Sequence, residues 1–219
     1  MSIAEAVSVL LVDDHAVVRE GYRRLLERSP SIRVVGEAAD AQGAYLAYVE
    51  HKPQVTVMDI ALPGASGVEA LRRIRARDAN ARVLMFSMYE EPIFASRALQ
   101  AGARGYVTKA AAPEALVEAV LAIARGEPYV TGRIAHELAV RGPADTGGAE
   151  ATLSPREFEV LRMLVAGRDL GEIAESLGLT PKTVANHQSI LRQKLGVSSA
   201  LQLLQAAARL GITQASQLP

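Results

Sequence analysis

Residues 9–14 read Val9-Leu10-Leu11-Val12-Asp13-Asp14: four apolar residues in a row, closed by two carboxylates. A run that is apolar at every position has no solvent face. It suits a strand of a parallel sheet covered on both sides better than an alternating, half-exposed strand. Working outward, comparable strand-sized runs occur at residues 32–37 (IRVVGE), 55–59 (VTVMD), 82–87 (RVLMFS) and 105–108 (GYVT). Between them lie helical stripes: Tyr22, Leu25 and Leu26; Leu71 and Ile74; Ala98 and Leu99; and Leu116, Val117, Val120, Leu121 and Ile123. Strict alternation of strand and helix predicts an α/β doubly wound parallel sheet of five strands with helices on both faces.

The 219 residues, 49% of them hydrophobic, allow one or two domains with real cores. Cysteine is absent, which excludes disulfides, thiolate metal sites and cysteine nucleophiles and suits a reducing compartment. The first seven residues lack the basic start and long apolar run of a signal peptide, and the apolar runs are too short to span a membrane. The expectation is a soluble cytoplasmic protein with no membrane partner. Lysine plus arginine equals aspartate plus glutamate, 24 each. Residues 153–219 carry seven basic and five acidic residues, a mild +2 that would not by itself point to nucleic acid.

Three segments follow from this pass: residues 1–126 as the α/β domain, 127–152 as a linker, and 153–219 as an all-α domain. The linker holds a helical stretch at residues 133–140, followed by RGPADTGGAEAT at residues 141–152, which has no apolar period. In the last segment Ser154, Pro155 and Glu157 form an N-terminal capping signature. Gly167 ends that helix, Asp169 caps a short one ending at Gly178, Thr180 and Pro181 open a longer one ending at Gly196, and Ser198 or Ser199 caps a fourth. A short helix, a glycine turn and a longer helix make a helix-turn-helix layout, whose second helix is the one that enters a major groove.

In a doubly wound sheet, chemistry collects beyond the carboxyl ends of the strands. Asp13 and Asp14 end the first strand, Asp59 ends the third, and Lys109 follows the last. Three carboxylates and an ammonium at one edge offer hard oxygen ligands suited to Mg²⁺, and aspartate is a covalent phosphoryl acceptor. Asp13 and Asp14 alone read more naturally as loop and cap residues, with Asp14 placed to cap the helix that runs to Arg28. Asp59 and Lys109 at matching strand ends reverse that balance.

Residues 7–125 resemble a response-regulator receiver domain, on the pieces LLVDDH (10–15), VMDIALPGASG (57–67), Ser87 at its strand end, and GARGYVTK (102–109). The resemblance implies a CheY-like, flavodoxin-like sheet of five strands and five helices. It implies Asp59 as phosphoacceptor for a sensor histidine kinase, with Mg²⁺ held by Asp13, Asp14, Asp59 and the backbone carbonyl of Ala61. It also implies Lys109 against the phosphoryl group, and a switch in which the Ser87 hydroxyl moves to that group while the Tyr106 ring swings inward. Such domains usually carry a cis peptide after the lysine, here Lys109-Ala110.

Residues 153–210 are similar to the four-helix DNA-binding domain of the LuxR/FixJ/NarL class, on S-P-R-E, TV-x-x-H and K-L-G-V. That resemblance places Ala185, Asn186 and Ser189 toward base edges of double-stranded DNA and Lys182, Thr183, His187, Arg192 and Lys194 near phosphates. The fourth helix, residues 199–209, would form a homodimer. Many relatives carry Lys or Arg where this chain has Gly171, Ala185 and Ser189, so fewer phosphate contacts are expected. An aspartyl-phosphate phosphatase-type enzyme needs a second acid just after the acceptor, where Ile60 and Ala61 stand. A dinucleotide-binding oxidoreductase needs a G-x-G-x-x-G after the first strand, which is missing. A phosphorylation-independent DNA-binding regulator is disfavoured by the intact set of Asp13, Asp14, Asp59, Ser87 and Lys109. The reading is a regulator, not an enzyme.

Overall fold

Val9 to Val12 are at most 1% exposed, as a run apolar at every position requires. They belong to β1 (Val7–Val12), the strand next to the edge strand β2 (Ile32–Ala38). The structure is a computed structural model, and it describes residues 6–63, 65–141 and 153–209. The chain continues through β3 (Val55–Met58), β4 (Val83–Ser87) and β5 (Gly105–Thr108), each preceded or followed by a helix: α1 (Ala16–Glu27), α2 (Ala41–His51), α3 (Gly67–Arg77), α4 (Pro92–Gln100) and α5 (Pro113–Ala124). All pairings are parallel, in the order β2-β1-β3-β4-β5-β6.

The sheet therefore has six strands where the sequence predicts five. β6 (Tyr129–Val130) is two residues long, too short for any periodicity to show, and pairs with β5. Helix α6 (Gly132–Arg141) follows and packs against α4. Residues 127–141, expected as the start of a linker, thus extend the first of the two compact units into which the chain divides near residue 143. The rest of the expected linker, residues 142–152, lies outside the described residues.

One face of the sheet packs Val9, Leu11, Val34, Val57, Leu84 and Val107 against Leu26 of α1 and Leu116, Val120 and Ile123 of α5. Two further expectations are corrected. There is no cis peptide bond among the described residues, so Lys109-Ala110 is trans; before a non-proline residue such as Ala110, cis would cost about 3 kcal/mol. Asp14 does not cap α1, whose N-cap is His15 and has no side-chain cap hydrogen bond; the Asp14 carboxylate pairs with His15 instead.

Among the described residues, the second unit holds α7 (Pro155–Val165), α8 (Leu170–Leu177), α9 (Pro181–Leu195) and α10 (Ala200–Arg209). Ser154–Glu157 and Asp169–Glu172 both form complete capping boxes, and Thr180 caps α9 through the Thr183 amide. The turn from α8 to α9 passes through Gly178 at φ +62°, a left-handed conformation that favours glycine. Val160, Ile173, Ala174 and Val184 form the buried centre. Residues 210–219 lie outside the described residues.

Candidate functional site

The carboxyl ends of β1, β3 and β5 bring Asp13, Asp59 and Lys109 into contact. The Lys109 Nζ donates to Asp13 Oδ2 at 2.5 Å and to Asp59 Oδ2 at 2.6 Å. The side chains of these three residues are nearly buried, at 3%, 6% and 8% exposure for Asp13, Asp59 and Lys109. Register explains the meeting: β1 and β3 run side by side, Val12 beside Met58, so the next residues are Asp13 and Asp59. The Asp59 amide donates to the Val12 carbonyl at 2.9 Å, and the Lys109 amide donates to the Ser87 carbonyl at 2.7 Å.

Charge at this edge is unbalanced. Burial pushes the Asp59 carboxyl above its ordinary value, partly opposed by the Lys109 ammonium and the Ala61 amide. Burial works against the Lys109 charge as well, but the Asp59 and Asp13 carboxylates outweigh it and hold Lys109 above its ordinary value. Asp14 adds a third carboxylate at the surface, and one potential ligand atom each from Asp13, Asp14 and His15 lies within 4.8 Å of the others. Three carboxylates against one ammonium form an oxygen-rich set with negative charge to spare, which fits a hard divalent cation. His15 is a residue that the sequence reading passed over. Its Nδ1 lies 2.7 Å from Asp14 Oδ1, and its amide donates to Asp13 Oδ1 at 2.9 Å.

Gly67 was also passed over, and it shapes the loop after β3. A Cβ there would lie 1.8 Å from the Asp59 carbonyl oxygen. That close approach lets the Gly67 amide donate to the Ile60 carbonyl at 2.9 Å, tying the start of α3 to the end of β3 next to Ala61. The signal was present as a glycine opening a helix.

Ser87 and Tyr106 are both fully buried. The Ser87 Oγ accepts from the Tyr89 amide at 3.3 Å, and the Tyr106 hydroxyl donates to the Tyr89 carbonyl at 2.8 Å. The Tyr106 ring is thus already inward. β5 is not an edge strand, because β6 covers it. Tyr89 stacks on Phe94 at 4.3 Å between ring centroids.

On α9, Lys182, Ala185, Asn186 and Ser189 are exposed, whereas Thr183, His187, Arg192 and Lys194 are partly covered. The Thr183 hydroxyl is bonded to that of Thr180. His187 Nδ1 and Arg192 Nε are buried without a hydrogen-bond partner. Lys194 departs most from the sequence reading. It donates to both carboxylate oxygens of Glu157, at 2.9 and 2.8 Å, so its ammonium serves the inside of this unit.

These features define a class: a receiver-type α/β unit with a phosphoacceptor-like acidic edge, joined in one chain to a helix-turn-helix unit. The comparisons agree along both halves. Residues 9–121 match the family model described as "Response regulator receiver domain", and residues 151–207 match "Bacterial regulatory proteins, luxR family". The chain is 36% identical to the response regulator UvrY of Escherichia coli (strain K12), over 97% of this chain and 98% of that one. Among solved structures, a LuxR-family two-component response regulator from Aurantimonas sp. SI85-9A1 is 50% identical with a TM-score of 0.61, covering 63% of this chain and 98% of its own. RcsB from Salmonella enterica serovar Typhimurium, solved on the rprA promoter with the phosphomimetic BeF3−, is 27% identical with a TM-score of 0.60, covering 93% and 99%. The chain belongs to the NarL/FixJ-type response regulators, two-component transcription regulators with a LuxR-type DNA-binding domain. No helix among the described residues is long and apolar enough to cross a membrane.

Proposed function

We propose that this regulator accepts a phosphoryl group on Asp59 from the phosphohistidine of a sensor histidine kinase, and that phosphorylation controls its dimerisation and DNA binding in the cytoplasm. The observation that carries the reading is the Lys109 ammonium bonded at once to Asp13 and Asp59 in a nearly buried pocket. In the transfer, a carboxylate oxygen of Asp59 bonds to phosphorus as the phosphorus–nitrogen bond of the donor breaks, and the departing imidazole takes up a proton. Asp13, Asp14, Asp59 and the Ala61 carbonyl would hold a Mg²⁺ ion, which would supply charge compensation for the phosphoryl oxygens. Lys109 follows the new charge as a point cation, and Ser87 donates its hydroxyl to a phosphoryl oxygen, a charge-assisted hydrogen bond. The chain acts as a regulator rather than a turnover enzyme.

For DNA, the reading takes residues 153–219 as the binding domain and rests on the exposed row Lys182, Ala185, Asn186 and Ser189 of α9. Ala185, Asn186 and Ser189 read base edges, and Lys182, Thr183, His187 and Arg192 sit near phosphates. Lys194 is withdrawn from that second group by its bond to Glu157. Two linked copies on a two-fold site raise affinity through effective concentration, as a sparsely basic domain requires.

The test is phosphorylation by acetyl phosphate with Mg²⁺, followed by intact-protein mass, gel filtration and titration of a two-fold DNA site. The wild type is expected to gain one phosphoryl group, elute as a dimer and bind more tightly. Asp59→Asn is expected to do none of these. Stoichiometric labelling of Asp59→Asn would sink the assignment.

A further inference from the structure

The strand and helix beyond the five expected strands are tied to the switch residues themselves. β6 lies on β5 with Gly105 beside Tyr129 and Tyr106 beside Val130. The Thr131 amide donates to the Tyr106 carbonyl at 3.1 Å. Gly105 leaves no room for a side chain at this pairing, since a Cβ would stand 2.4 Å from the Tyr129 carbonyl oxygen. Tyr106 also reaches the other way, its hydroxyl holding the Tyr89 carbonyl. The next residue, Glu90, accepts from Arg133 Nη2 at 2.5 Å. Arg133 is the second residue of α6, its neighbour Ile134 is buried, and α6 packs against α4. The loop at residues 88–91 is therefore gripped from inside by Ser87 and Tyr106 and from outside by α6.

From these ties we propose that β6 and α6 form the receiver's output strap. On this view a change of state at Asp59 passes through Ser87, Tyr106 and the 88–91 loop into residues 129–141, from which the chain runs on to the DNA-binding unit. The inference rests on the reading of Asp59 as phosphoacceptor. The direction follows from the hydrogen bonds. A phosphoryl oxygen that recruits the Ser87 hydroxyl draws it off the Tyr89 amide. The loop then moves with Glu90 attached, and the exposed Glu90–Arg133 pair, weak by itself, breaks. With that tie lost, α6 loosens from α4. Packed helices switch between discrete arrangements rather than deform smoothly, so a small loop shift suffices. Linkage requires the converse: the opened strap binds a phosphoryl mimic more tightly than the closed one by the same factor that the mimic favours opening, so a weakened strap binds it more tightly by up to that factor.

The experiment uses the full chain with Mg²⁺ and BeF3−, reading amide hydrogen exchange by fragment and the affinity for BeF3−. Exchange across residues 129–137 is expected to speed roughly fivefold or more on BeF3− binding, the lower end of ordinary coupling between sites. Arg133→Ala is expected to bind BeF3− severalfold more tightly than the wild type, and the reversed pair Glu90→Arg with Arg133→Glu to return it to the wild-type value. Gly105→Ala, if it folds, is expected to raise exchange in the same segment without BeF3−. Binding of BeF3− with unchanged exchange at 129–137 and an unchanged affinity in Arg133→Ala overturns the strap while leaving Asp59 as acceptor. Failure of the wild type to bind BeF3− at all removes the acceptor reading and the strap with it.

Discussion

Lys194, near the end of the proposed recognition helix, donates to both oxygens of Glu157, whose side chain is 7% exposed and also accepts from the Ser154 amide at 2.7 Å. One carboxylate thus closes the capping box of α7 and anchors the last turn of α9. Replacing Lys194 with methionine leaves that carboxylate covered and short of a partner, a cost of about 1–3 kcal/mol once the lysine's partial exposure is allowed for. Lys194→Met is expected to melt earlier yet keep the wild-type slope of log affinity against log salt. Arg192→Ala is expected to lower that slope by roughly one unit. A slope that falls by a unit in Lys194→Met would return this lysine to the DNA phosphates.

Asn186 is exposed on the outer row of α9 and carries the amide that best suits the adenine N6/N7 edge. Asn186→Ala is expected to relax discrimination at one base pair by about 1–3 kcal/mol, with the salt slope unchanged. Titrations of a cognate and a scrambled site at several salt concentrations decide it. Equal weakening on both sites removes Asn186 from base readout.

At the opposite end of the sheet from Asp59, the Tyr48 hydroxyl donates to Asp78 Oδ2 at 2.6 Å, joining α2 to the end of α3. Burial, with the Asp78 carboxylate behind it, pushes the phenol well above its ordinary value. The hydrogen bonds from Tyr48 and the Asn80 amide hold Asp78 below its own. For Asp78, the lowered folded value means stability present above the usual carboxylate range and lost as pH falls through that lowered value. For Tyr48, the raised value means stability present below pH of about 10 and lost as pH climbs toward the folded value. Tyr48→Phe is expected to cost roughly 0.5–1 kcal/mol at neutral pH and to flatten both the acid and alkaline arms of the melting-temperature profile. A profile parallel to the wild type would show that the pair contributes nothing.

The doubly wound sheet was legible because its inner strands are covered on both faces and so announce themselves as largely apolar runs, Val9 to Val12 first among them. The contact among Asp13, Asp59 and Lys109 was legible for the same reason: topology puts strand ends side by side, and charged residues sat at three of them. What stayed hidden depends on contacts that carry no period. β6 has two residues and takes its place from backbone pairing with Gly105 and Tyr106, so residues 127–141 read as linker. Lys194 sits on a helix whose polar positions look alike in sequence, and only the fold shows it meeting Glu157, 37 residues away. The resting place of the Tyr106 ring was not legible either, since it depends on burial and on a hydrogen bond to the Tyr89 carbonyl.

Gly67 offers the sharpest separation of helix propensity from site geometry. It occupies the first position of α3, where alanine would ordinarily stabilise a helix by roughly 0.5–1 kcal/mol over glycine. Here the added carbon would fall 1.8 Å from the Asp59 carbonyl oxygen and 2.8 Å from the carbonyl carbon, both backbone atoms that cannot rotate away. The start of α3 or the end of β3 must shift, at a cost of about 1–3 kcal/mol or more. Any such shift moves the peptide that bears the Asp59 carboxylate and the loop that carries Ala61. Gly67→Ala is therefore expected to lower the melting temperature and to slow phosphorylation by acetyl phosphate more than tenfold even at temperatures where the protein is fully folded. A stabilised variant that labels at the wild-type rate would show that the close approach of Gly67 to Asp59 is not what shapes the acceptor loop.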